Sequence, residues 1–312
     1  VVLGLLRADG FLDGRMPLDA EGARAAIGAL GEQLGLSVEQ TAAGILQINN
    51  AAAAILIRQR TIQQGLDPRD FTVYAFGGAG PVHAWGFAQE LGVGTCVIPL
   101  GNGASTLSAY GIATSDLKLL FDAACEFNLP VDLAALRDVL RDLEQRAMAE
   151  AHALGLDPAQ LIIESTGFLR YRGQFFQSLA LPLPDLGSAD FNEALRASFY
   201  REYARLYGEG ALIMLQQVEL FGVRLRLVLP LATGAASLER SGPPPSPRES
   251  RKVFWPTAMA WLETSVWDGE LLGPGDALSG PAVVELPHTT VAVAPGQHLK
   301  VDAMGNYVIE LQ

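Results

Sequence analysis

Apolar and polar residues alternate along the chain with two different periods. Over residues 37–64 the period is helical, no proline interrupts it, and Gly65 stands where such a helix stops. Ser37 with Gln40 three residues on forms a capping box. The segment predicts one helix of about 27 residues, roughly 40 Å long at 1.5 Å per residue. Its middle, Asn49-Asn50-Ala51-Ala52-Ala53-Ala54, is mostly small residues, so a neighbouring helix or strand can come close. Asn49 and Asn50 can serve a ligand, or be amides satisfied at a helix–helix contact. Further helical patterns cover residues 21–30, 81–91, 106–113, 131–154 with Asp132 as cap, and 191–207 ended by Gly208.

Strand patterns fill the intervals. Residues 71–76 are β-branched and aromatic and predict a buried strand. Residues 95–99 predict a second, and each leads through a glycine-rich loop into a helix. Two strand–loop–helix units in succession argue for an α/β layer. Strands are also predicted at 161–164, 167–181 and 218–229. The run Ser241-Gly242-Pro243-Pro244-Pro245-Ser246-Pro247 is the clearest linker, and short strands follow it at 281–285, 289–294, 298–302 and 307–311. No internal repeat is present. These shifts predict three domains: 1–125, an α+β domain at 126–240, and a β-rich C-terminal domain at 241–312.

The 312 residues are 49% hydrophobic and 18% charged, which excludes disorder. Twenty-two Lys and Arg against 34 Asp and Glu leave a net charge of −12. Such a surface repels phosphate backbones and anionic lipid, so neither nucleic acid nor a membrane is an expected partner. No run approaches the roughly 18 to 20 apolar residues a bilayer requires, and nothing resembles a signal peptide. The two cysteines, Cys96 and Cys125, sit at no metal-ligand spacing, and a reducing, cytoplasmic setting is expected. The chain opens on Val1-Val2-Leu3-Gly4-Leu5-Leu6, as a piece of a larger protein would.

The richest chemistry lies in Phe76-Gly77-Gly78-Ala79-Gly80-Pro81-Val82-His83-Ala84. Paired glycines permit positive φ and remove Cβ atoms where a flat ligand can lie. Pro81 starts a helix whose first N–H groups are free, the usual geometry for a phosphate or nucleotide. A structural tight turn fits the same residues. His83 is either an acid–base or ligand group or a satisfied core histidine. Gly101-Asn102-Gly103-Ala104-Ser105 can bind an anion by the same logic but lacks the Lys-Ser/Thr of a P-loop. Ser105, Thr106 and Ser108 suit caps better than nucleophiles, and no Gly-x-Ser-x-Gly elbow exists. His152, His288 and His298 form no zinc-type pair. Arg170, Arg172 and Gln174 alternate on a strand, where two guanidiniums can clamp a carboxylate or bicarbonate, or join an intersubunit or interdomain salt-bridge cluster. A Rossmann site is disfavoured because Gly-x-Gly-x-x-Gly and its acidic ribose partner are missing.

Taken in order, several segments resemble the C-terminal part of the hydantoinase A / 5-oxoprolinase family, which includes subunits of acetone and acetophenone carboxylases. They are Phe11-Leu12-Asp13-Gly14-Arg15-Met16-Pro17-Leu18-Asp19, the long helix, Asp67-Pro68-Arg69-Asp70-Phe71, and the Gly-Gly-Ala-Gly-Pro-x-His-Ala stretch from Gly77. Leu107-Ser108-Ala109-Tyr110-Gly111, Arg170-Tyr171-Arg172-Gly173-Gln174 and Gly280-Pro281-Ala282-Val283-Val284-Glu285 complete the series. The resemblance implies an actin-like ATPase fold, here its second ribonuclease-H-like half (1–125), with Gly77, Gly78, Ala79 and Gly80 on the adenosine side of ATP. It also implies activation of an amide or ketone oxygen by phosphorylation, a small carbonyl or cyclic amide substrate, and a hydantoinase B-type partner subunit.

The family's Gly-x-Asp-x-Gly-Gly-Thr and Asp-x-Gly-Gly-Thr/Ser phosphate loops do not occur in this sequence. The resemblance therefore implies that Mg-ATP ligands come from an N-terminal half of the same protein or from a separate subunit, and that this chain alone is inactive. It assigns no metal ligand here and leaves His83 as the one catalytic candidate. The other reading is a non-catalytic structural subunit of a carboxylase complex. Ala303-Met304-Gly305 stands where a biotin-attachment turn would carry Met-Lys, so covalent biotin is excluded at that turn.

Overall fold

Ser37 caps the longest helix as its sequence requires. Its hydroxyl accepts from the Gln40 amide at 3.1 Å, and the Gln40 side chain accepts from the Ser37 amide at 2.9 Å. The computed structural model describes residues 1–99, 101–175, 178–231 and 243–311. Two units are distinguished, Val1–Ala113 with Gly234–Gln312, and Thr114–Thr233.

The first unit begins with α1 (Ala20–Leu34) and α2 (Val38–Ile62), followed by β1 (Val73–Tyr74), α3 (Gly80–Leu91), β2 (Thr95–Ile98) and α4 (Leu107–Thr114). The second unit holds β3 (Leu117–Asn128), α5 (Leu133–Ala153), β4 (Ile162–Tyr171), β5 (Leu179–Pro182), α6 (Phe191–Tyr207) and β6 (Val218–Leu229). The chain then returns to the first unit with β7 (Glu249–Trp255), β8 (Ala260–Asp268), β9 (Ala277–Ser279), β10 (Ala282–Leu286), β11 (Thr289–Val293), β12 (His298–Val301) and β13 (Tyr307–Glu310).

This return differs from the three-domain expectation. The C-terminal segment is not a separate domain, because β13 pairs antiparallel with β2 and builds a five-stranded sheet in the order β1-β2-β13-β12-β9. A second sheet of the same unit runs β11-β10-β8-β7. The first boundary falls at 113/114 instead of 125/126, and the expected boundary at 240/241 lies outside the described residues. Of the expected linker, Ser241 and Gly242 lie outside the described residues, and residues 243–247 have no regular structure.

The β1–α3–β2 crossover is the parallel strand–loop–helix unit expected from the sequence. The strand expected at 71–76 shrinks to two residues and is not buried. It pairs only with β2, at the end of the sheet, and leaves Phe71, Tyr74 and Phe76 exposed. Helix α3 is enclosed instead. Ala84, Ala88 and Leu91 pack with Ile98, Val291 and Ile309, while Val82 and Trp85 pack with Val253, Trp255 and Leu5. Contact on several faces fixes where its N-terminus points.

In the second unit the antiparallel sheet β3-β6-β4-β5 has a core that also takes in α5 and α6. Phe191, Leu195, Phe199, Leu136 and Leu143 are fully buried. The Tyr171 ring meets Phe199 edge-on with centroids 5.1 Å apart. Asp132 caps α5 by accepting from the Ala134 and Ala135 amides. Among the described residues no helix is long and apolar enough to cross a membrane.

Candidate functional site

The turn between β1 and α3 is held from two sides. Gly77 adopts φ +82°, a conformation open to glycine, and its N–H donates to Ala104 O at 2.9 Å. The Gly78 carbonyl accepts from Thr289 Oγ1 at 2.9 Å. One partner lies in the 3₁₀ segment Gly101–Thr106 and the other starts β11, so the turn is fixed although Gly78 and Ala79 are exposed. A Cβ on Gly77 would meet nothing within 4 Å, and one on Gly78 would come to 3.4 Å from His288 O. Ala79 provides no side-chain cap to α3. Among the described residues the N–H groups of Gly78, Ala79 and Gly80 have no acceptor. The turn therefore offers open backbone and unpaired donors, which suits a flat ring, a hydroxyl or an anion.

One helical turn further on, His83 Nδ1 lies 2.9 Å from Asn50 Oδ1, which places the ring proton on Nδ1 and leaves Nε2 bare. Asn50 is buried, and its amide nitrogen packs where a side chain on residue 86 would stand. The helix–helix reading of Asn50 therefore holds, with α2 against α3. Burial pushes the His83 pKa below its ordinary 6.5 and favours the neutral imidazole. His83 and the exposed Asn49 line a hollow of about 540 Å³ whose other walls include Leu3, Leu5, Ile27 and Ile45. Its surroundings are apolar, and it adjoins the first turn of α3.

The other candidates separate. Arg170 Nε binds Glu219 at 2.6 Å, and its guanidinium stacks 4.5 Å from the Phe221 ring centre. Gln174 does not share that face, because its Nε2 donates to Tyr203 OH at 2.9 Å. Arg170 and Arg172 border one hollow of about 630 Å³, but the first is already neutralised by Glu219 of the same unit, so its ion pair is local and joins neither domains nor subunits. Thr106 Oγ1 donates to Gly103 O at 3.0 Å, and Ser105 Oγ is buried without a partner among the described residues. The side chains of the Gly101–Asn102 end of that loop lie outside the described residues. Burial drives the Cys96 thiol up to about 12 and that of Cys125 up to about 11, so neither is a ready nucleophile. Among the described residues no group of three or more His, Cys, Asp or Glu can hold a metal. Sequence reasoning missed Thr289, whose bond to Gly78 spans 211 positions. It also missed Gly86, although a glycine inside a helix is a legible sign of close approach.

The profile of the hydantoinase/oxoprolinase family matches residues 1–120, and that of the hydantoinase/oxoprolinase C-terminal domain matches residues 130–309. The chain is 28% identical over 310 residues to the acetone carboxylase beta subunit of Xanthobacter autotrophicus, covering 95% of this chain and 43% of that subunit. The crystal structure of the ATP-dependent caprolactamase from Pseudomonas jessenii superposes with a TM-score of 0.80 at 28% identity, covering 99% of this chain and 45% of that one. A nucleotide-free acetone carboxylase structure gives a TM-score of 0.75 at 27% identity with the same coverage. The chain thus spans less than half the length of these relatives. Both halves of the sequence are accounted for by one set of profiles, and the chain belongs to the hydantoinase/oxoprolinase family.

Proposed function

We propose that this chain is the C-terminal portion, or a subunit, of an ATP-dependent hydantoinase, oxoprolinase or ketone carboxylase. The observation that carries the reading is the turn at residues 77–80, exposed at Gly78 and Ala79 and stapled to Ala104 and Thr289, with three amides unpaired among the described residues. The relatives named as ATP-dependent support it, since they share nearly the whole chain at 27–28% identity. The first unit serves as the second half of an actin-like ATPase. Its β1–α3–β2 element carries the turn, although the neighbours β13, β12 and β9 are antiparallel.

The residues present fit one side of a nucleotide. Gly77, Gly78, Ala79 and Gly80 provide open backbone for the adenosine side, and a Cβ at Gly77 or Gly78 would stand on that surface. ATP supplies the phosphoryl group that activates an amide or ketone oxygen when bound. No phosphate loop occurs in the sequence, so the ligands of the phosphates and of Mg belong to the part of the relatives that this chain does not cover. That body is an N-terminal half or a separate subunit, and a hydantoinase B-type subunit completes hydrolysis or carboxylation. His83, neutral and with Nε2 bare, is the candidate to accept a proton or orient a small carbonyl or cyclic amide substrate.

Gly78→Val in the complete protein tests the assignment. A branched side chain beside His288 O occupies the nucleotide surface, and loss of ATP hydrolysis with an unchanged thermal midpoint is the expected result. Full ATPase activity in that variant removes the turn from the nucleotide site.

A further inference from the structure

Helix α2 is apolar on two sides, and among the described residues only one is covered. Ala42 and Ala43 contribute to one buried cluster and Ala54 to another, while Asn50 meets α3. On the opposite side Ile45, Ile48, Ala52, Ile55, Gln59 and Ile62 are exposed. Ile48 is 72% exposed and Ile55 is 51% exposed. These positions repeat at intervals of three, four, three, four and three, the spacing of a seam against a straight helix lying alongside at about 20°. Apolar surface of this extent on a helix is normally buried against a neighbour, and no described residue covers this face.

We propose that the seam on α2 docks an apolar helix of the protein body that completes the ATP site. The inference rests on the functional reading above and names where that body sits. Two observations choose this occupant. The relatives carry more than half their length beyond what this chain matches, 57% in the acetone carboxylase subunit and 55% in the caprolactamase. The seam is also continuous with the apolar hollow, since Ile45 belongs to both and His83 lies at its edge. A partner seated along α2 therefore reaches the first turn of α3. A second copy of this chain is disfavoured because each copy carries a net charge of −12.

The experiment uses the complete protein with Ile48→Cys, Ile55→Cys and, as reference, Asp138→Cys on the exposed face of α5. Maleimide reacts at least tenfold more slowly at positions 48 and 55 than at 138 if the seam is covered, and a benzophenone placed at 48 cross-links to a helix of the remaining body. Reaction at the reference rate, or a cross-link to α2 of a second copy, overturns the docking. ATP hydrolysis is measured on the same samples. Activity with an open seam overturns the docking and keeps the functional reading; a covered, cross-linked seam without activity does the reverse.

Discussion

Asn50 Oδ1 stands 2.9 Å from His83 Nδ1, and the same carboxamide fills the space that a Cβ on Gly86 would need. One buried amide thus sets both the spacing of α2 from α3 and the tautomer of the only histidine on α3. The pair lies one turn from the exposed Gly78, so a packing contact and the candidate site share a support.

Gly86→Ala reads this contact directly. In an exposed helix the change gains roughly 0.5–1 kcal/mol. Here the added methyl collides with Asn50, and a loss of about 1–3 kcal/mol is expected. Asn50→Ala alone loses about 1–2 kcal/mol by leaving the His83 N–H unmatched. The double variant is more stable than the sum of the two, with a coupling of about 1 kcal/mol or more. All four tryptophans, Trp85, Trp255, Trp261 and Trp267, lie in the first unit, so urea unfolding followed by their fluorescence reports the right unit. Additive losses would show that the two side chains do not touch.

His83 gives the first unit an acid-sensitive contribution. Its folded pKa lies below 6.5 because burial penalises the imidazolium. Above about 6.5 both states are neutral and the contribution is fully present; as pH falls, the unfolded chain takes up the proton first and stability drops until the folded pKa is passed. His83→Gln keeps a polar side chain without titrating. The wild type is therefore expected to lose more stability than the variant between pH 7.5 and 5.5. A parallel loss in both proteins, or a His83 titration above 6.5 by NMR, contradicts the assignment.

Thr289→Val separates the turn's position from the stability of the fold. Thr289 is buried, but the carbonyl it binds belongs to exposed Gly78, where water can replace the hydroxyl. The cost in stability is expected to stay below about 1.5 kcal/mol. In the complete protein the freed turn is expected to raise the KM for ATP several-fold while kcat stays within about twofold. A lower kcat with unchanged KM would place Thr289 outside nucleotide binding.

The local signals were legible and the long-range ones were not. Ser37 with Gln40, Pro81 at the start of α3, Asp132 before α5 and Gly208 after α6 all act through neighbours a few residues away, and each element begins or ends where its residues say. Strand β3 is legible in its own alternation. Leu119, Phe121, Ala123 and Phe127 face the core while Lys118, Asp122 and Glu126 alternate outward. The exposure of β1 and the joining of residues 298–310 to β2 depend on which strands become neighbours, and composition is blind to that. The same holds for the site. The glycine turn is readable from its residues, whereas the carbonyl of Ala104 and the hydroxyl of Thr289 that hold it come from folding.

Glu285 closes the family-like Gly280-Pro281-Ala282-Val283-Val284-Glu285 segment, and its carboxylate gathers three arginines. It binds Arg251 Nη1 at 2.6 Å and Arg248, with Arg7 at 3.9 Å. Arg251 also donates to Leu5 O at 3.0 Å, so one ion pair links β7, β10 and the first residues of the chain. Glu285 and Arg251 are 18% and 17% exposed, against 44% for each partner of the Glu164–Arg226 pair. Removing one charge of a largely buried pair leaves the other uncompensated, so Glu285→Gln is expected to cost about 2–4 kcal/mol. The exposed pair is worth less than about 1 kcal/mol, and Glu164→Gln is expected to stay within that. Tryptophan fluorescence reports the first substitution and far-ultraviolet dichroism the second. At 1 M salt, where screening acts over about 3 Å, the Glu164→Gln loss vanishes and most of the Glu285→Gln loss persists. Equal losses at both sites, or equal sensitivity to salt, would mean that the Glu285 cluster is solvated and does not pin the N-terminal segment.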